Sequence, residues 1–427
     1  MINIYNKNNL DEFYLKLKNR SDNIPDDVLI SVNKIIEDVK KYGDEAVIKY
    51  TKKFDGVDCD IRDIYMTEEE KNKTINKAPK KLRAAMERAA ENILAFHEAQ
   101  KQQSWMTARG GKIMGQRILP LKNVGMYVPG GSAAYPSSLL MNAIPAKVAG
   151  VDDLIMATPP KKDGLAPAVI LAAEIAGVKN IVKIGGAQII AALAYGTETI
   201  KRVDKIVGPG NIYVAAAKRM VYGTVDIDMI AGPSEILIVA DETADPKYIA
   251  ADLLSQAEHD ANAAAILISS SAELVELVKI ELEKQFKKLS RKDIILKSLE
   301  TNGAAIIVDD IEQAYELSDL VAPEHLELMI KAPFENLAKI RNAGSVFLGS
   351  MAPEPLGDYY AGPNHILPTN GTARFASALS VDSFMKKSGF LYYSREEFEK
   401  IKDDVILLAE TEGLDAHANS VKARFEI

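Results

Sequence analysis

The sequence predicts an α/β protein built on two parallel-sheet units, and three observations carry that expectation. From about residue 120, short apolar runs alternate with amphipathic helical stretches, and strand–helix units of this length give a parallel sheet with helices on both faces. The same rhythm restarts near residue 235, so two α/β units are expected rather than one. The composition, 47% hydrophobic and 26% charged over 427 residues, is that of a globular chain long enough for two or more domains. It excludes a disordered chain, a collagen-like repeat and a disulfide scaffold.

Taken in order, residues 25–103 read as helical. Leu82, Met86, Ala89, Ile93 and Phe96 follow a 3.6-residue spacing after Pro79, which suits a first-turn position. His97 continues that apolar row, so it reads as a core or boundary histidine. The first set of strands is expected at Val124–Val128, Asp153–Ala157, Asn180–Ile184 and Lys205–Val207, with helices over Ser138–Ala149, Ala166–Ala176, Ala187–Tyr195 and Ile212–Tyr222. The second set is expected at Glu235–Ala240, Ala263–Ser269, Ala304–Val308, Leu326–Ile330 and Ser345–Leu348. Residues 351–370 hold four prolines and break all periodicity, as a long ordered loop or linker does. From Arg374 onward the chain reads as largely helical.

The formal charge is −8, from 52 Lys+Arg against 60 Asp+Glu, so no basic surplus points to nucleic acid or an anionic membrane as the main partner. The single Cys59 excludes an internal disulfide and any multi-cysteine zinc site. A metal would then be held by His, carboxylate or amide ligands. The N-terminus lacks the apolar core of a signal peptide, and the longest apolar candidate for a membrane span, 138–151, is interrupted by Asn142, Pro145 and Lys147. A reducing cytoplasm is the expected compartment.

Three glycine-rich turns each follow an expected strand and precede a helix: Val128-Pro129-Gly130-Gly131-Ser132, Gly185-Gly186-Ala187-Gln188 and Gly208-Pro209-Gly210-Asn211. Backbone N–H groups at such turns can meet a phosphate, or the glycines can serve ordinary tight turns. None completes G-x-G-x-x-G. Gln256 and His259 are spaced i,i+3, which puts them on one helix face, as metal ligands or as a solvated helix end. Glu324 and His325 are adjacent after Pro323 and before an apolar strand. On an extended segment they would point to opposite sides, and either can act as a general base when its surroundings tune it. In the irregular loop, Asp358 can ligate a metal or cap its turn, and His365 can orient the loop by hydrogen bonding. Glu412 and His417 flank Gly413 near the C-terminus, a common pattern at solvated helix ends.

Together these stretches resemble the histidinol dehydrogenase family. The resemblance rests on VGMYVPGGSAAYPSS, VKIGGAQIIAALAYGTETI, VDKIVGPGNIYVAAAKR, IAGPSEILIVAD, DLLSQAEHD, LVAPEHLEL, GDYYAGPNHILPT and EGLDAH, in order from 124 to 417. It implies two incomplete Rossmann-like parallel-sheet domains, one inserted in the other, with helical N-terminal and C-terminal extensions. The implied bounds are an arm over 1–24, a first domain over 25–120 and 236–375, a second over 121–235, and a helical tail over 376–427.

The resemblance further implies one Zn2+ per subunit on Gln256, His259, Asp358 and His417, and NAD on Tyr127, Gln188 and Asn211. It implies Glu324 and His325 as the catalytic pair, and substrate contacts from Ser234, Glu412 and His325 beside the metal ligands. The implied reaction is the four-electron, NAD-dependent oxidation of L-histidinol to L-histidine through L-histidinaldehyde, the last step of histidine biosynthesis. The implied assembly is an intertwined homodimer with His417 supplied in trans. The closest rival is a related dehydrogenase of another polar primary alcohol, such as a sulfonated diol. Glu412, suited to an ammonium, favours histidinol.

Overall fold

The computed structural model describes residues 1–18, 24–130, 135–230 and 232–425. Gly131 and Ser132 of the first glycine turn lie outside the described residues. The strands are β1 (Asn3–Tyr5), β2 (Trp105–Arg109), β3 (Lys112–Pro120), β4 (Asn123–Tyr127), β5 (Asp153–Ala157), β6 (Asn180–Val182) and β7 (Lys205–Val207). They continue as β8 (Asp226–Ile227), β9 (Glu235–Ala240), β10 (Ala264–Ser269), β11 (Ala304–Ile307), β12 (His325–Met329), β13 (Ser345–Leu348) and β14 (Met385–Tyr393). The chain divides into two compact units, one of residues 1–100 and 121–384, the other of 101–120 and 385–427.

The larger unit holds two parallel sheets, as the α/β rhythm predicts. One runs β6-β5-β4-β7-β8 and the other β1-β11-β10-β9-β12-β13. Leaving β1 aside, both follow the doubly wound order in which the first strand lies centrally and the third and fifth at the edges. Strand β9 (EILIVA) is buried at every residue, the continuous apolar pattern of a strand covered on both faces. The helices Pro136–Ala149 and Gly186–Tyr195 are buried almost throughout and pack the first sheet. Helices Asp26–Asp55 and Lys80–Glu98 precede it, the first interrupted at Gly43, whose φ of +52° is non-helical. The N-terminal segment is not wholly an arm, because β1 pairs in parallel with β11 through Asn3 and Ala304.

The smaller unit differs from the sequence expectation. Residues 385–393 form a strand rather than helix, and β14-β3-β2 make an antiparallel sheet. Three helices, Arg395–Glu399, Lys402–Thr411 and Asp415–Phe425, follow. Every residue of β2 is exposed, and β14 is exposed along nearly its whole length. With neither face covered, these strands lack the alternating apolar pattern that periodicity detects. No helix among the described residues is long and apolar enough to cross a membrane.

Candidate active site

The densest group of buried ionisable side chains sits at the amino-terminal edge of the six-stranded sheet. Glu324 and His325 reach it through a sharp reversal. Helix Ile311–Val321 ends at Ala322, a fully buried non-glycine residue at φ +48°, and Pro323 starts the extended path into β12. A left-handed alanine costs strain that the surroundings must offset. The backbone of Glu235, the first residue of β9, then grips both side chains. Its N–H donates to Glu324 Oε2 at 2.8 Å, and its carbonyl lies 2.9 Å from His325 Nδ1. The two side chains therefore share one partner, with Glu324 Oε2 3.7 Å from Nδ1, rather than pointing to opposite sides. Glu324 lies ahead of the strand, so strand alternation does not govern it.

A carbonyl only accepts, so His325 Nδ1 carries the proton and Nε2 the lone pair. Nε2 is buried with no hydrogen-bond partner among the described residues, 4.0 Å from Asp358 Oδ1. Burial pulls the His325 pKa down to about 4, partly opposed by the Asp358 carboxylate, which keeps the ring neutral at pH 7. Burial raises the Glu324 carboxyl well above the usual range. The Glu235 N–H opposes that rise, and the nearby Glu235, Asp358 and Glu354 carboxylates add to it.

The Pro-rich loop brings Asp358 to this edge on a short helix, Glu354–Tyr359. Gly357 allows the approach, since a Cβ there would stand 2.6 Å from Phe347 Cε1 on β13. Glu327, two residues beyond His325 on β12, accepts from the Glu354 N–H at 2.8 Å and so anchors the start of that helix. His365 Nδ1 lies 2.9 Å from the Asp358 carbonyl and 3.5 Å from Asp358 Oδ1, the loop-orienting part expected of it. Burial works against ionisation of Asp358, but the His365 hydrogen bond and the potentials of His365 and His325 hold its pKa below the usual value.

Gln256 lies in the last turn of helix Pro246–Ala257, which Asp245 caps through the Lys247 N–H at 2.8 Å. His259 lies one turn beyond, past the helix end, its N–H on the Gln256 carbonyl at 3.2 Å. Among the described residues, ligand atoms of His259, Glu354 and Asp358 lie within 4.8 Å of one another. Gln256 is fully buried, and neither its amide oxygen nor its nitrogen has a partner among the described residues. A buried amide with both ends open is costly, and an oxygen ligand beside His and Asp fits zinc chemistry. The donor set therefore fits a metal. Ser234 immediately precedes Glu235. Glu412 and His417 belong to the smaller unit, at the end of helix Lys402–Thr411 and in the first turn of helix Asp415–Phe425, both exposed.

The proposed nucleotide residues gather instead at the carboxyl edge of the five-stranded sheet. Strands β4 and β7 flank its topological switch point, where ligands of open α/β sheets bind. Tyr127 ends β4, and its hydroxyl accepts from the Gly186 N–H at 3.3 Å. Burial raises the Tyr127 pKa to about 12. Gln188 is fully buried, its Nε2 3.5 Å from Thr51 Oγ1 and its Oε1 without a partner among the described residues. Helix Gly186–Tyr195 starts with no side-chain cap, leaving N–H groups that suit an anion. Asn211 follows β7 and caps helix Ile212–Val221 through the Tyr213 and Val214 N–H groups. The orphaned Gln188 oxygen and the uncapped helix fit a dinucleotide.

Glu235, Glu327 and Glu354 are the residues that sequence reasoning missed. The first two are charged residues inside apolar strands, and each is at most 3% exposed. A carboxylate within a buried run was the available signal. Glu354 offered none, lying between prolines in a segment without periodicity.

Two doubly wound sheets, with glycine turns at one edge and a buried base beside a ligand set at another, define an α/β enzyme. The histidinol dehydrogenase family model matches residues 18–425. Histidinol dehydrogenase of Clostridium acetobutylicum is 55% identical over 97% of this chain and 96% of its own length. That of Caldanaerobacter subterraneus is 55% identical over 96% and 95%. The crystal structure of histidinol dehydrogenase from Elizabethkingia anophelis superposes with a TM-score of 0.93 at 40% identity, covering 100% of this chain and 98% of that one. This chain belongs to the histidinol dehydrogenase family and is an oxidoreductase.

Proposed function

We propose that the protein oxidises L-histidinol to L-histidine through L-histidinaldehyde, consuming two NAD and using one zinc ion per subunit, as a cytoplasmic biosynthetic enzyme. The observation that carries this reading is the double grip of the Glu235 backbone, which fixes the His325 tautomer and leaves Nε2 open beside the metal-capable set. Gln256, His259 and Asp358 would hold zinc with His417, and Tyr127, Gln188 and Asn211 would hold NAD. When bound, zinc supplies an electrophilic centre without redox chemistry for orienting substrate nitrogens, and NAD supplies the hydride acceptor.

The chain's own residues do the proton work. His325 Nε2 takes the hydroxyl proton as the alcohol carbon becomes an aldehyde. Glu324 takes a proton from the water that adds to that aldehyde, giving a hydrate. His325, having passed the first proton to solvent, then takes a hydrate hydroxyl proton as the second hydride leaves and the carbon reaches the carboxylate level. Primary alcohol to carboxylate removes four electrons, two per step. Ser234 meets a polar group of the substrate, and Glu412 pairs with its ammonium.

His417 and Glu412 would come from the partner of a homodimer. The smaller unit supports this reading, because it exposes Trp105, Met106, Leu391, Tyr392, Leu407 and Leu408, more apolar surface than so small a unit leaves in water without a partner. Refolded mixtures of His259→Asn and His417→Asn, each inactive alone, then regain about a quarter of wild-type sites by random pairing. No recovery in verified heterodimers rules out the shared site.

The experiment for the reaction is NADH formation from L-histidinol, with and without prior chelation, against a panel of other polar alcohols. Turnover selective for histidinol and lost on chelation is expected. Faster turnover of a sulfonated diol, or turnover indifferent to chelation, contradicts the reading.

A further inference from the structure

Beneath the turn after β7 lies an ion pair almost sealed from water. Lys218 and Asp228 keep 5% and 2% of their side-chain exposure, and both close on Gly208. The Gly208 N–H donates to Asp228 Oδ2 at 2.7 Å, and Lys218 Nζ donates to the Gly208 carbonyl at 3.0 Å. Asp228 Oδ1 accepts from Lys218 and from the Met229 N–H. Gly208 is also pressed onto the end of β4. At φ +103°, a Cβ there would stand 2.2 Å from the Tyr127 carbonyl oxygen, so only glycine fits. The pair thus holds a residue in direct contact with Tyr127 and three positions before Asn211.

The placement of Asp228 sharpens the point. It directly follows β8 in a strand–turn–helix–strand unit and stands 20 residues beyond Gly208. A dinucleotide fold presents an acidic residue at this spacing to a ribose hydroxyl. Here the carboxylate is turned inward, and both its oxygens are taken by the turn and by Lys218. A buried ion pair adds little net stability over an apolar pair of similar size. What it provides here is one geometry for the Gly208 backbone.

We propose that Lys218 and Asp228 are positioning residues for the dinucleotide, clamping Gly208 so that Tyr127 and Asn211 stay in the arrangement that receives NAD. Asp228 grips the turn and not the ribose. This rests on the reading of the β4/β7 edge as the nucleotide site.

The test compares wild type, Asn211→Ala and the double variant Lys218→Met with Asp228→Asn, which removes both charges together so that neither is left buried alone. KM for NAD, KM for histidinol and the unfolding temperature are measured for each. The double variant is expected to raise KM for NAD about tenfold, the scale of a lost hydrogen bond to a charged group, with KM for histidinol unchanged. A folded double variant with unchanged KM for NAD, beside a raised value in Asn211→Ala, overturns the clamp alone. Unchanged values in both variants overturn the nucleotide reading as well. Equal rises in both Michaelis constants mark a merely structural role and also overturn the clamp. If the double variant does not fold, Lys218→Gln with Asp228→Asn, which also leaves no charge buried alone and keeps more of the shape, is expected to show the same split. In that variant the ratio of NADP to NAD affinity stays unchanged, and a swing toward NADP would place the carboxylate on a ribose and overturn the proposal.

Discussion

The two parallel sheets share one strand order, yet their candidate chemistry lies at opposite edges. In the five-stranded sheet the glycine turns, Tyr127, Gln188 and Asn211 lie at the carboxyl edge. In the six-stranded sheet Glu235, Glu324, His325, Gln256 and His259 lie at the amino edge. Helices in such folds run antiparallel to the strands, so the two edges differ in electrostatic sign. The carboxyl edge receives helix N-termini, here that of Gly186–Tyr195, which has no side-chain cap, and that of Ile212–Val221, which Asn211 caps, and their partial positive charge favours an anion. The amino edge receives helix C-termini, here those of Pro246–Ala257 and Ile311–Val321, whose partial negative charge favours a cation. On the proposed function, an anionic dinucleotide and a metal or ammonium would each find a matching edge, with one topology used from either end.

Substitutions at the two edges should separate in the same way. The largest effect is expected at the amino edge. His325→Asn should slow both oxidation steps, on the order of 10²–10⁴-fold for the loss of a general base, with NAD affinity unchanged. Glu324→Gln should slow oxidation of histidinaldehyde far more than that of histidinol, because only the second step needs water activated. Stopped-flow measurement of each half-reaction checks this, and equal damage to both would break the division of labour. A smaller effect is expected at the carboxyl edge. Asn211→Ala removes a helix cap and should cost about 1 kcal/mol of stability, read from unfolding in denaturant. It should also raise KM for NAD several-fold while leaving KM for histidinol unchanged. A change in the histidinol constant would show that the edges are not independent.

How much of this was legible in the sequence follows from burial. Strands covered on both faces, such as β9 and β12, read as continuous apolar runs, and their positions match within a residue or two. Strands β2, β3 and β14 did not announce themselves, because a sheet with little covered surface leaves no apolar face to detect. Gln256 and His259 were legible by spacing, although His259 stands past the helix end rather than on its face. The common grip of Glu235 on Glu324 and His325 was not legible, since backbone groups leave no mark in a sequence and β9 lies about 90 residues away from β12. The same holds for Glu354, which reaches the ligand set only through the path of a Pro-rich loop.

The separation of the two edges is tested most directly by the affinity for NAD, measured by fluorescence quenching before and after chelation of the same preparation. The expected result is abolished histidinol oxidation with an unchanged dissociation constant for NAD. Loss of NAD binding together with the metal, in protein that unfolds at the same temperature as before, would contradict it.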